Sequence, residues 1–354
     1  MSRFTLHALA VGVATASLSL SAQAATEISW WHAMGGQLGE ILEEMTEEFN
    51  ASQDDYHVTP SYRGTYTETM TGAIAAFRAN EQPHILQVFE VGTGTMMNAK
   101  GAIYPVYELM EAHGRAFDNE AFLPAVVGYY TDTNGNMLSF PFNSSTPIMY
   151  YNRDMFEEAG LDPEQPPETW EEVADFSRQI VESGAASCGF TTSWPSWVML
   201  ENFSAWHNVP LGTLENGFGG METEFTFNNE LVARHWDNLH DWQEEGVFKW
   251  GGPGSGPDSE PMFYSQDCAI FFGSSASRAD VAANSEFEVG FGMQPYYDDV
   301  DGAPQNSIIG GATLWALQGH SDEEYEAVAA FFEYLSQPEV QAQWHQQTGY
   351  LPIT

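Results

Sequence analysis

Apolar and polar positions alternate from Glu27 to Trp31 as they do on a pleated strand. After Gly35-Gly36 the spacing lengthens to that of a helix, with Leu38, Ile41, Leu42, Met45 and Phe49 on one face. Tyr56 to Thr59 alternates again, with Tyr56 and Val58 inward, His57 toward solvent and Pro60 as the stop. Tyr66 to Asn80 predicts a second helix striped by Met70, Ile74, Ala75 and Phe77, and Ile85 to Phe89 reads as a short buried strand. This β-α-β-α-β order predicts an α/β fold with a largely parallel sheet, helices on both faces, and ligands at the carboxyl ends of the strands. Glu90 falls at such an end, where a carboxylate serves as a helix cap, a solvated turn or a ligand contact.

The run Pro141 to Asn152 sets three hydroxyls, those of Ser144, Ser145 and Thr146, between Pro141 and Pro147, just ahead of a β-rich stretch. Pro147 restricts Thr146 to extended geometry, Ile148 to Tyr151 suit a strand, and Asp154 is placed to cap a helix opening at Met155. Such a run reads either as a ligand-facing crossover strand or as an ordinary polar loop. Pro166-Pro167-Glu168-Thr169 leads into a helix from Glu171 to Ser183 with its cap at Thr169 or Glu168. Trp194, Trp197 and Trp206 read as core or as an apolar wall for a ligand's carbon skeleton, Trp194 and Trp197 being the candidates for the wall.

Gly251 to Pro261 reads as an exposed loop. The strand from Asp267 ends in Gly273-Ser274-Ser275, where a following helix start offers backbone N–H groups to an anion without a cationic side chain; a plain serine cap explains the same residues. Ile308-Ile309-Gly310-Gly311 repeats the strand end followed by glycine, which lets backbone approach a ligand closely or simply makes a turn. Tyr325 to Ser336 and Glu339 to Gln347 are amphipathic helices.

Charge narrows the partners. Fifty Asp and Glu against ten Lys and Arg leave a net charge of −40, which excludes nucleic acid and anionic membrane surfaces as natural partners. Hydrophobic residues make up 43% and aromatics 14%, enough for a core, so the acid belongs on a folded surface. Surface carboxylates repel one another at low ionic strength, and a salt-loving (halophilic) source follows as the expected setting.

Arg3, the uncharged run Phe4 to Leu20 and Ala22-Gln23-Ala24 form a signal peptide with cleavage expected after Ala24. The expected mature chain is exported to the periplasm and is long enough for two lobes. Its two cysteines, Cys188 and Cys268, bridge there or remain free with equal expectation.

No His-Glu-x-x-His pattern, Gly-x-Ser-x-Gly elbow, phosphate loop or complete dinucleotide fingerprint occurs, so neither a metal, a cofactor nor catalysis is expected. Paired carboxylates of the glycosidase type carry little weight among fifty acids.

Several runs carry a resemblance: Trp31-His32, Gly64-Thr65-Tyr66, Ala75 to Arg78, Ile85 to Thr93, Leu161 to Pro167, Leu200 to Trp206 and Trp344 to Thr354. With these the chain resembles extracellular solute-binding proteins of ABC importers, the glycerol-3-phosphate-binding members above all. The resemblance implies a two-lobed binding-protein fold, a monomer, capture of glycerol 3-phosphate or a glycerophosphodiester, and delivery to an ABC permease in the inner membrane. It implies ligand contacts at Tyr66, Glu90, Ser145, Trp194, Ser274, Gly311 and Tyr350. Family members continue past the Leu-Pro-Ile-Thr at Thr354 with a tail that supplies a phosphate-pairing arginine, so the chain is expected to be truncated relative to them. The expected lobes are 25–140 for the first, 141–272 for the second, 273–318 as a return to the first and 319–354 as a return to the second. A neutral oligosaccharide is the alternative ligand, and a secreted phosphodiester or glycoside hydrolase the alternative class.

Overall fold

The computed structural model describes residues 24–99, 101–132, 134–217, 219–220, 222–252 and 257–354. The expected signal peptide, Met1 to Ala24, lies outside the described residues except for Ala24 itself. Ten strands form two sheets: β1 (Thr26–His32), β2 (Tyr56–Tyr62), β3 (Ile85–Phe89), β4 (Ile103–Tyr104), β5 (Phe140–Ser145), β6 (Pro147–Asn152), β7 (Cys188–Thr192), β8 (Cys268–Ser274), β9 (Val289–Gly292) and β10 (Gly310–Leu317). The first sheet runs β2-β1-β3-β10-β4 with β5 also on β10, and the second runs β7-β8-β6-β9.

Pairing is parallel for β1 with β2 and β3, and for β7 with β8. Strands that enter after a crossover, β10 and β6, run antiparallel to their neighbours. Two mixed sheets flanked by helices therefore make the two-lobed α/β architecture.

Each sheet carries its own core. In the first, Trp30 meets Phe142 and Phe331 edge-on or tilted at 5.4 and 5.5 Å, and Phe140 stacks on Phe332 at 4.9 Å. In the second, Trp170 lies 5.3 Å from Phe272, and Phe190 stacks on Phe248 at 4.8 Å. Aromatic pairs in these offset and edge geometries add to the area they bury.

The chain order of the lobes differs from the sequence expectation. β5 stays in the first sheet up to Ser145, and Thr146 alone separates it from β6 in the second. After β8 the chain does reach the first lobe, where Ala276 joins the core and helix Arg278–Asn284 packs on helix Gly36–Ser52, but it goes back for β9 of the second sheet, so the lasting return falls just before β10. Helices Asp322–Leu335 and Pro338–Thr348 pack in the first lobe, not the second, because Phe331, Phe332, Leu335 and Trp344 are completed by Trp30, Phe49, Phe140 and Phe142.

Local rules explain most element ends. Helix Tyr66–Ala79 opens on a capping box between Thr65 and Glu68, and helix Trp170–Ser183 on one between Thr169 and Glu172. Ile74 and Ala75, expected inward, are exposed, and Thr69 and Ala73 are buried instead. The helix after β6 starts two residues earlier than expected: Asn152, not Asp154, accepts from the Met155 N–H at 3.0 Å.

Within the expected loop Gly251–Pro261, residues 253–256 lie outside the described residues, while Ser259 and Glu260 are buried. Cys188 and Cys268 sit opposite each other on β7 and β8 and form a disulfide. No described helix is long and apolar enough to cross a membrane.

Candidate ligand-binding site

Where β5 crosses into β6, the chain exchanges hydrogen bonds with both return segments. The Ser275 N–H donates to the Thr146 carbonyl at 2.9 Å, and the Thr146 hydroxyl donates to the Ile308 carbonyl at 3.0 Å and also pairs with Ser307. Asn202 ties the same corner to the second lobe, its Oδ1 accepting from the Ser307 hydroxyl at 2.8 Å and the Ile308 N–H at 3.1 Å.

From this corner the carboxyl end of β3 and the first residues of β10 open into one polar cluster. The Gly311 N–H donates to Glu90 Oε2 at 3.1 Å. Gly311 adopts φ of 118°, and a Cβ there would lie 2.0 Å from the Asn143 carbonyl oxygen, so only glycine fits. Gly310 lies directly under the Trp197 ring, where a Cβ would approach within 2.6 Å. These glycines open β10; the expected strand ahead of them is instead the loop that crosses back from the second lobe.

Asn143 is the hub. It accepts from Gln87 Nε2 at 3.0 Å and donates from Nδ2 to the Tyr66 hydroxyl at 3.3 Å. Tyr66 stacks on Phe89 at 5.4 Å and faces Trp194 of the second lobe at 6.3 Å. Tyr350 reaches the same cluster because Leu351 bonds to β5, its N–H donating to the Ser144 carbonyl at 2.7 Å, and Trp344 stacks on its ring at 5.6 Å.

Burial dominates the electrostatics. Desolvation pushes the Glu90 carboxyl up to about 7, against the pull of the Gly311 N–H, with a contribution from the negative charge of Glu201. Glu201 is itself raised by desolvation. Tyr129, whose ring is partly open to solvent, has its phenol pushed up first by desolvation and then by the charges of Glu90 and Glu201. Glu90 of the first lobe thus feels the charge of Glu201 of the second, and no Lys or Arg is among the groups that perturb either one.

The structure therefore brings Tyr66, Glu90, Gly311, Tyr350 and Trp194 together. Ser145 pairs with Gly310 at the edge of the cluster and is buried. Ser274 sits one residue from the crossover, paired with Pro147, and its hydroxyl oxygen accepts from the Ala276 N–H at 3.1 Å. That cap uses one of the hydroxyl's two lone pairs and leaves its O–H and the other lone pair for a ligand. Trp197 and Trp206 are core, whereas Trp194 is partly exposed with φ of 53°.

The sequence profile described as "Bacterial extracellular solute-binding protein" matches residues 44–354. The chain belongs to that family. The sn-glycerol-3-phosphate-binding periplasmic protein UgpB of Rhizobium meliloti is 48% identical over 336 residues, covering 95% of this chain and 77% of the relative. UgpB of Escherichia coli O6:K15:H31 is 46% identical over 353 residues, covering 99% and 79%. Among solved structures, UgpB from Mycobacterium tuberculosis in complex with glycerophosphocholine aligns with a TM-score of 0.77 at 20% identity, over 93% of this chain and 79% of that one. Maltose-bound MalE3 of T. maritima aligns equally well, with a TM-score of 0.77 at 17% identity over 93% and 82%. At these identities the structural likeness establishes the two-lobed fold.

Three members of the solute-binding protein's cluster escaped sequence reasoning. Asn143 stood inside the Pro141 to Asn152 run but was not distinguishable from its neighbours. Glu201 stood inside the Leu200 to Trp206 run, and its burial has no sequence signal. Tyr129 lies on a short helix, Pro124–Tyr130, whose apolar pattern hides it.

Proposed function

We propose that this chain is an exported receptor that closes its two lobes on glycerol 3-phosphate or a glycerophosphodiester and delivers it to an ABC permease in the inner membrane. The observation that carries the reading is the 46–48% identity to sn-glycerol-3-phosphate-binding periplasmic proteins over 95–99% of the chain. In this reading the receptor is monomeric, reaches the periplasm through the N-terminal signal, and binds without turnover.

Tyr66, Glu90 and Gly311 meet the ligand from the first lobe, Trp194 packs on its carbon skeleton from the second, and Ser145, Ser274 and Tyr350 complete the contacts near the crossover. Glu90 is suited to phosphate because a carboxyl held up near 7 keeps its proton and donates a hydrogen bond where an ionised one would repel. A ligand touching both lobes favours the closed arrangement by its extra contacts there.

Calorimetry at high salt tests the reading. Saturable one-to-one heat with glycerol 3-phosphate or glycerophosphocholine is expected, with the latter recovered intact. Absence of heat and thermal shift with both rejects the ligand class, displacement by maltose-type sugars alone favours an oligosaccharide, and release of choline marks a hydrolase.

A further inference from the structure

At the opposite end of the first sheet from Glu90, three side chains distant in sequence converge. His84 immediately precedes β3, His320 follows β10, and Glu324 lies in the first turn of helix Asp322–Leu335. Their ligating atoms all lie within 4.8 Å of one another, and among the described residues this is the group of three or more such side chains close enough to share an ion. The imidazoles stack with centroids 3.8 Å apart, and His84 Nε2 lies 3.2 Å from Glu324 Oε1. We propose that His84, His320 and Glu324 form a binding site for one divalent transition-metal ion of the zinc class, separate from the solute cleft.

The supporting shell is that of a ligand set. His320 Nε2 lies 3.1 Å from the Pro83 carbonyl, so its N–H donates there and Nδ1 is left with a free lone pair. Backbone carbonyls commonly fix metal-binding imidazoles in this way. Glu324 Oε2 accepts from the Ser321 N–H at 2.7 Å, which anchors the carboxylate and leaves Oε1 toward His84. His84 Nε2 is buried with no aligned hydrogen-bond partner despite the nearby carboxylate, an orphaned nitrogen in a side chain only 12% exposed. A buried N–H aimed poorly at its neighbouring carboxylate is costly, and exchanging its proton for an ion shared with Glu324 removes that cost.

Binding shifts one proton on His84. Its Nδ1 now accepts from the Ser29 N–H at 3.0 Å, which puts the ring proton on Nε2. When Nε2 turns to a metal, the proton moves to Nδ1, where the Ser29 hydroxyl, also at 3.0 Å, accepts it. The bond from the Ser29 N–H is given up, so the site is of moderate affinity. Two imidazoles and one carboxylate with open positions suit zinc or its cobalt substitute, and not calcium or magnesium, which take oxygen donors.

The test uses the full chain at high salt with excess Mg2+, so that the acidic surface is occupied. Titration with Co2+ should produce a saturable visible absorption band at one equivalent, displaced by Zn2+, and zinc should raise the melting temperature. His320→Ala should weaken Co2+ binding at least tenfold while the metal-free variant melts like the parent. Glu324→Gln keeps a residue able to complete the capping box and should also weaken binding. No band with the parent chain overturns the site, as does a band whose affinity is the same in His320→Ala and Glu324→Gln; His57→Ala, on the exposed edge, should change nothing.

Discussion

Glu90 is the residue on which the chemistry of the cleft turns. Its carboxyl is raised to about 7 in the fold, so the folded chain holds a proton there that the unfolded chain releases near the ordinary value. Stability from this group is therefore present at low pH and is lost as pH rises from about 4.5 to about 7. Glu90→Gln should flatten that decline, a gain on the order of 1–2 kcal/mol near neutral pH once the water that still reaches this largely buried carboxyl is allowed for, read from melting curves between about pH 5 and 7.5. The same change should remove the loss of phosphate-ligand affinity expected as Glu90 ionises, so a parent whose affinity is independent of pH across that window counts against the proposed role. Trp194 offers a complementary check. It is partly exposed and packs only on the margin of the second core, so Trp194→Ala should weaken ligand binding by roughly 10- to 100-fold, about 1.5–3 kcal/mol, and lower the melting temperature less than the loss of a fully buried tryptophan such as Trp170.

At the scale of elements, strands and helices with clear periodicity were legible in the sequence: β1 to β3, helices Tyr66–Ala79 and Trp170–Ser183, and the C-terminal pair, of which Asp322–Leu335 also opens on a capping box. What periodicity does not carry is the partner of each face. Helix Asp322–Leu335 is apolar on a broad stripe, which fits either lobe, and only the fit of Phe331 and Phe332 against Trp30, Phe49 and Phe140 decides for the first. The site was legible in part for the same reason. Tyr66, Glu90 and Gly311 lie at element ends, which sequence can locate, whereas Asn143 and Glu201 acquire their roles from contacts across the fold. The disulfide is a further case, since strand register and not spacing sets Cys188 opposite Cys268. It closes a loop of 80 residues, and replacing both cysteines by alanine should cost about 2–4 kcal/mol in denaturant unfolding, an unchanged midpoint being the contrary result.

For the whole molecule, fifty acids against ten Lys and Arg leave most carboxylates without a cationic partner. Arg153, Arg178 and Arg234 form surface ion pairs with Glu164 and Glu288, Asp175 and Glu245, and Asp299, pairs that salt screens as readily as it screens the repulsion around them. Repulsion dominates by number, so melting temperature should rise steeply between dilute buffer and molar salt, where the Debye length falls to about 3 Å. A flat salt profile would contradict that account. The single residue between β5 and β6 sets how such a molecule can move. In the proposed closure about Thr146, a group's travel grows with its distance from that point, so Ser145 and Ser274, which adjoin it, move least. On the proposed reading, the inner groups hold a solute before the jaws meet and Trp194 of the second lobe acts as the latch, which divides capture from retention.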